Sequence, residues 1–225
     1  MSKIQNKAAE LYPDNLKGNS FNDDHLGGCG TNGDPATHYP MMWKHLTDKL
    51  NIKSMVDVGC GFGYTLNFFK NDLGVEAFGV EGSSKVRDLA LNKEDIVVHD
   101  YCEGPYILKD TTDLIWSCEF VEHVPREFVD NFMQTFKKGK HVAITYATIG
   151  QSGHNHVNEN TEEYWIGEFS KRGLAFDPHM TFELREKVKE DQENAKSPVD
   201  QSPMEKWWYP YHFIKKGLFF TNENV

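Results

Sequence analysis

The apolar residues of this chain fall into short runs, separated by polar stretches with helical spacing. Five runs have the length and β-branched or aromatic content of strands: "SMVDV" (54–58), "EAFGV" (76–80), "IVVH" (96–99), "DLIWS" (113–117) and "HVAITY" (141–146). Between them, Leu66, Phe69 and Leu73 share one helical face. Phe128, Val129, Phe132, Met133 and Phe136 form a second face after Pro125, a residue suited to a first helical turn. Strands that alternate with helices predict right-handed crossovers and a mostly parallel sheet covered on both faces, an α/β architecture.

Two segments break that rhythm. Residues 13 to 40, with "GGCGTNGDP", are rich in Gly, Asn and Asp and predict an irregular flap that leads into a helix near 39–50. Residues 185 to 206, "REKVKEDQENAKSPVDQSPMEK", are almost wholly polar and predict a solvated helix end followed by a mobile loop. The aromatics of "MEKWWYPYHF" (204–213) either pack the last strand or cap a pocket. Strand character returns around Leu218 to Thr221. The whole, 1–225, reads as one domain, with 1–40 as an N-terminal flap or lid.

The stretch "VDVGCGFGYTLNFF" (56–69) sets Gly59, Gly61 and Gly63 between a strand and a helix, where backbone must come close to a ligand. Dinucleotide-binding domains space their glycines G-x-G-x-x-G, but here Tyr64 stands at the last of those positions. Asp57, just upstream, suits a ligand that carries an ammonium and would repel a pyrophosphate.

"DVGCGFG" resembles motif I of class I S-adenosylmethionine-dependent methyltransferases, and the similarity runs from about residue 40 to 175. The resemblance implies a Rossmann-like fold: a seven-stranded, mostly parallel sheet with helices on both faces. "LAFDP" and "GLFFT" would supply strands six and seven, the last antiparallel. It also implies S-adenosylmethionine as cofactor. Asp57 would face the methionine ammonium, and Gly59, Cys60, Gly61 and Gly63 would pack against the cofactor. Glu81, followed by Gly82, would take the ribose hydroxyls, with Asp100 and Tyr101 near the adenine and Ser117 and Cys118 beside the cofactor.

"CEFVEHVP" places Glu119, Glu122 and His123 at i, i+3 and i+4, so one helical turn gathers all three on one side. "GHNHVNENTEEYW" adds His154 and His156 on a Gly-flanked loop. The E-x-x-E-H stretch resembles that of metal-dependent O-methyltransferases, including small-RNA 3′-terminal 2′-O-methyltransferases and ubiquinone-pathway O-methyltransferases. That resemblance implies a divalent ion, Mg or Mn, held by Glu119, Glu122, His123 and His156. Two further readings stay open. A metal-free site would use His123, His154 or His156 as general base beside Glu122. Alternatively, Glu and His merely brace the loop, as in methyltransferases without a metal. His25, His141 and His179 read as surface residues.

Net charge narrows the acceptor. At −10, with 34 acidic against 24 basic residues, the chain is poorly suited to neutralising many phosphates. A small hydroxylated acceptor, sugar-like or catechol-like, is therefore favoured over nucleic acid. N-methylation of a small amine, 2′-O-methylation of an RNA terminus and cofactor binding without turnover remain as alternatives. The four cysteines, Cys29, Cys60, Cys102 and Cys118, form no C-x-x-C pair. No apolar run approaches the ~20 residues that span a bilayer. The N-terminal sequence has no apolar signal core, which gives a cytoplasmic expectation.

Overall fold

The computed structural model describes residues 20–22, 25–30, 35–151, 153–193 and 211–225. A short antiparallel hairpin, β1 (Ser20–Asn22) with β2 (Gly28–Gly30), precedes helix α1 (Pro40–Leu50). The chain then alternates: β3 (Ser54–Val58), α2 (Tyr64–Asn71), β4 (Glu76–Glu81), α3 (Ser84–Leu89), β5 (Ile96–Val98) and β6 (Thr112–Ser117). It continues with α4 (Val129–Phe136), β7 (Gly139–Ile144), α5 (Glu162–Ser170), β8 (Leu174–Phe176), α6 (Pro178–Glu193), α7 (His212–Lys216) and β9 (Leu218–Asn222).

Seven strands form one sheet in the order β5-β4-β3-β6-β7-β9-β8. β3, β4, β5, β6 and β7 are parallel, and β9 runs antiparallel to both β7 and β8. From β3 the chain winds outward through β4 and β5, then returns to β6 on the other side. That reversal opens a crevice beyond the carboxyl ends of β3 and β6, the usual ligand position of such sheets.

The runs that predicted strands are buried on both faces because helices cover both. Along β6, Leu114 and Trp116 enter a core with Trp43, Phe69, Leu184 and Phe213. Ile115 points into the opposite core with Val56, Val142, Phe132 and Phe169. Helix α4 buries Val129, Phe132, Met133 and Phe136, a stripe that contributes roughly 1.5–3 kcal/mol per side chain. Phe128 lies just ahead of it, in a 3-10 turn over Arg126–Phe128, so the helix starts later than its sequence stripe suggests.

The helix end expected within 185–206 forms, but it is not wholly solvated. Residues 185–193 belong to α6, and Val188 and Asp191 are buried there. The Asp191 carboxylate accepts from the backbone N–H groups of Met41 (2.7 Å) and Met42 (3.1 Å), satisfying orphan donors at the start of α1. Charge in this helix therefore serves packing as well as solvation. Residues 194–206, like 1–19 and 31–34 of the flap, lie outside the described residues. Among the described residues no helix is long and apolar enough to cross a membrane.

Candidate active site

The crevice has two lobes, of about 660 and about 630 Å³ measured out to open solvent, which meet at Gly28, Cys29, Gly59, Gly61 and Glu119. The floor is backbone. Gly59 follows β3 at φ +76°, and a Cβ there would stand 2.8 Å from the Phe120 Cβ. Only glycine meets both demands. Gly63 serves packing instead: it precedes α2 at φ +75°, against the Leu91 carbonyl, and lines neither lobe. Cys60 is buried and lines the lobe that holds Asp57.

The first lobe contains the strand-end acids of β4 and β5. Glu81 is fixed by its own backbone surroundings: Oε2 accepts from Gly61 N (2.9 Å) and Oε1 from Ser83 N (2.9 Å). Asp100, with Gly82, Tyr101 and Cys102, lines the same lobe. Burial would raise the Asp100 carboxyl, but the His25 ring and the Cys102 N–H hold it below its ordinary value. Ser117 is different. It is fully buried, donates to the Val58 carbonyl (2.9 Å), and so braces β6 against β3 rather than facing the crevice.

The second lobe contains Asp57, Cys118 and Glu119. Asp57 is 3% exposed, and its carboxyl is pushed up to about 8 by burial and then by Glu81. A positive group brought beside it would reverse that shift.

Residues 25–29 lie over the floor. His25 Nε2 is 2.7 Å from Asp100 Oδ2, Leu26 packs over Gly82, and Gly27 lies flat against the His123 ring. His25 is exposed, as expected, yet it bridges flap and strand end. His179 is exposed, whereas His141 is half-buried and stacks on Phe219.

The expected helical turn through Glu119, Glu122 and His123 does not form. Glu119 has φ +51°, and only Val121–His123 make a 3-10 turn, so the side chains diverge. Glu122, His123 and His156 come together, with ligand atoms within 4.8 Å of one another. Glu119 leaves that group for Lys216, whose Nζ lies 2.9 and 3.0 Å from its two oxygens. His212 Nδ1 lies 3.1 Å away and the Thr145 hydroxyl donates at 2.7 Å. Burial alone would raise this carboxyl; His212 and Lys216 hold it at about 2.

Glu122 has no such support. It is fully buried, and neither carboxylate oxygen has a hydrogen-bond partner. Burial, then the Glu119 charge, push its carboxyl well above the ordinary value. The two imidazoles beside it are oriented: His123 Nδ1 donates to the Asn155 carbonyl (3.2 Å), and His156 Nδ1 lies 3.3 Å from Glu159 Oε1. Each ring thus engages a second partner through Nδ1, which leaves Nε2 as the nitrogen able to accept. His123 is held neutral at about 4 by burial and the neighbouring His156. His154 sits exposed on the turn at 154–155, outside the group of three.

Lys216, His212, Asn155 and the flap residue Leu26 escaped the sequence reading. "YHFIKKG" reads as the lead-in to a strand, and nothing local shows that its lysine is buried. Of "MEKWWYPYHF", residues 204–210 lie outside the described residues. Phe213 is buried and stacks on Trp116 (5.6 Å between centroids), so it packs the core.

Residues 56–144 match the family described as methyltransferase domain. A protein named probable tocopherol O-methyltransferase, chloroplastic, from Oryza sativa subsp. japonica is 31% identical over 103 residues, which cover 41% of this chain and 28% of that protein. The tocopherol O-methyltransferase, chloroplastic, of Arabidopsis thaliana is 30% identical over 108 residues, covering 43% and 31%. The chain thus spans under a third of the length of these relatives. Among solved structures, the plantazolicin methyltransferase BpumL in complex with an analogue and SAH superposes with TM-score 0.53 at 14% identity, covering 81% of this chain and 82% of that one. A TehB-like SAM-dependent methyltransferase from Corynebacterium glutamicum gives 0.51 at 16% identity, covering 82% and 88%. The fold is therefore the Rossmann-like fold of class I methyltransferases.

Proposed function

We propose that this protein, whose residues 56–144 belong to the methyltransferase-domain family, uses S-adenosylmethionine to methylate a hydroxyl of a small molecule, assisted by a divalent ion at Glu122, His123 and His156. The observation that carries the metal is Glu122: a buried carboxylate with both oxygens unpartnered is costly unless protonated or joined to a cation. Two imidazoles, each engaged elsewhere through Nδ1, complete a set of oxygen and nitrogen donors suited to Mn²⁺ or Mg²⁺.

The chain's own residues do most of the work by alignment, because a sulfonium already carries a good leaving group. S-adenosylmethionine, when bound, supplies the electrophilic methyl; the ion, when bound, lowers the pKa of an acceptor hydroxyl. Glu81, held in place by Gly61 N and Ser83 N, would accept from the ribose hydroxyls. Asp57 would face the ammonium and give up its proton beside it, since burial and then Glu81 push its carboxyl up to about 8. Residues 25–29 cover the adenosine lobe and exclude water. His154 takes no part in this reading.

Support for oxygen as acceptor is the donor set and the names of the two plant relatives. Mn²⁺ titration followed by electron paramagnetic resonance tests the site without needing the acceptor. His156→Ala should weaken Mn²⁺ binding at least about tenfold, by analogy with other losses of a metal-site contact. Undiminished Mn²⁺ binding in that variant would refute the metal. Incubation with cell extract and labelled methyl donor, with and without chelator, then identifies the acceptor by mass. Full labelling after chelation would also refute it.

A further inference from the structure

Glu119 lines both lobes of the crevice, and it is the one charged side chain common to the two linings. Lys216, His212 and Thr145, which hold it, line neither. They stand behind the carboxylate. The Lys216 ammonium is itself buried, with 6% of its side chain exposed, and its remaining contact is the Gln151 Oε1 at 3.0 Å. The chain also keeps Glu119 at φ +51°, a conformation that L residues rarely adopt. Left-handed backbone, a buried counter-ion and a threonine hydroxyl all fix one carboxylate at the waist where the lobes join.

The waist has a chemical meaning on the reading above, on which this inference rests. A ligand with its ribose at Glu81 and its ammonium at Asp57 must pass the waist with the atom that joins those two ends. In S-adenosylmethionine that atom is the positively charged sulfur. We propose that Glu119, backed by Lys216, is the residue that reads the charge on that sulfur and so makes the site prefer S-adenosylmethionine over S-adenosylhomocysteine. As the acceptor oxygen, its hydroxyl proton released to solvent, formed its bond to the methyl carbon, the carbon–sulfur bond would break and its electron pair would stay on sulfur. The product is a neutral thioether, and the attraction to Glu119 ends as the reaction does. Product release is favoured by the same carboxylate that held the substrate.

Asp57 and Glu81 face groups that both ligands share, so their loss weakens both alike. Glu119 alone predicts a change in the ratio. Calorimetric titration of the full chain with each ligand measures it. Glu119→Gln should weaken S-adenosylmethionine about tenfold and S-adenosylhomocysteine less than about twofold, the size expected for a charge pair screened almost as in bulk water, because Lys216 and His212 already offset much of the carboxylate's charge. Removing Glu119 leaves Lys216 buried and unpaired, which endangers folding. The double variant Glu119→Gln/Lys216→Met removes both charges together and should show the same loss of preference. Equal weakening of both ligands in the double variant would overturn the proposal and make Glu119 a structural residue. Wild-type protein that binds neither ligand would instead overturn the underlying assignment of the crevice.

Discussion

The glycine floor and the acid–histidine corner adjoin, yet they are built in opposite ways. The floor is backbone from one contiguous stretch, with Asp57, Glu81 and Asp100 standing at successive strand ends. The corner is assembled from side chains far apart in sequence: His123 leans on Asn155, 32 residues on, and Glu119 on Lys216, 97 residues on. A floor made by backbone conformation tolerates little. A corner made by side chains can lose an unpartnered member such as Glu122 and keep its shape.

Gly59→Ala is the strongest test of that contrast. The new Cβ meets Phe120 at 2.8 Å in a left-handed conformation that costs an L residue about 1–2 kcal/mol before any clash. Affinity for S-adenosylmethionine should fall about a hundredfold in titration, while Mn²⁺ binding at the corner stays within about threefold. If both fall together, the two regions are one unit and the contrast is false.

Glu122→Gln probes the corner in the other direction. Its carboxyl is raised by burial, so the folded state holds its proton more tightly than the unfolded chain. That contribution to stability is complete below the ordinary value of 4.5 and is lost as pH rises through the folded value. Asp57 acts with the same sign, losing its share between about 3.8 and about 8. In metal-free protein, Glu122→Gln should therefore flatten the decline of stability with rising pH and raise Tm at pH 8 by about 2–4 °C for each kcal/mol recovered. Mn²⁺ binding should be lost in the same variant. A lower Tm at pH 8 would mean that Glu122 has a stabilising partner when metal-free.

This contrast also explains what was legible in the sequence. Strand ends are local features, so the strands and the glycine floor could be read from runs and spacing, and the methyltransferase resemblance then singled out Glu81 and Asp100, which line the first lobe. Ser117 was misjudged because strand pairing, not position at the strand end, decides which way its hydroxyl points: it bonds Val58 across the sheet. The E-x-x-E-H spacing was read as a helix, and the left-handed Glu119 broke it. Nothing short of the fold could place Lys216 against Glu119, since it is the pairing of β9 with β7 that sets the adjoining α7 behind that carboxylate. In the same way, Asp191 looks like one more charge in a polar run until α6 packs on α1.

The smallest expected effect concerns Asn155, whose side chain reaches the flap and whose backbone carbonyl orients His123. Asn155 has φ +53°, between His154 and His156. Its Nδ2 donates to the His25 carbonyl at 2.6 Å, while its own carbonyl accepts from His123. The flap is thus tied to the loop that carries His156, and through His123 to the corner. Asn155→Ala removes only the amide; the carbonyl that orients His123 remains. Mn²⁺ binding should therefore hardly change, whereas the flap loses one hydrogen bond, worth about 0.5–1.5 kcal/mol, or roughly two- to tenfold in affinity for S-adenosylmethionine. Asn155→Gly, which relieves the left-handed strain but also lacks the amide, should behave alike in ligand binding and be the more stable of the two. If Mn²⁺ also strengthens S-adenosylmethionine binding in the wild type and ceases to do so in Asn155→Ala, the tie transmits between floor and corner. If Mn²⁺ has no effect on that affinity in either protein, floor and corner are independent despite their contact.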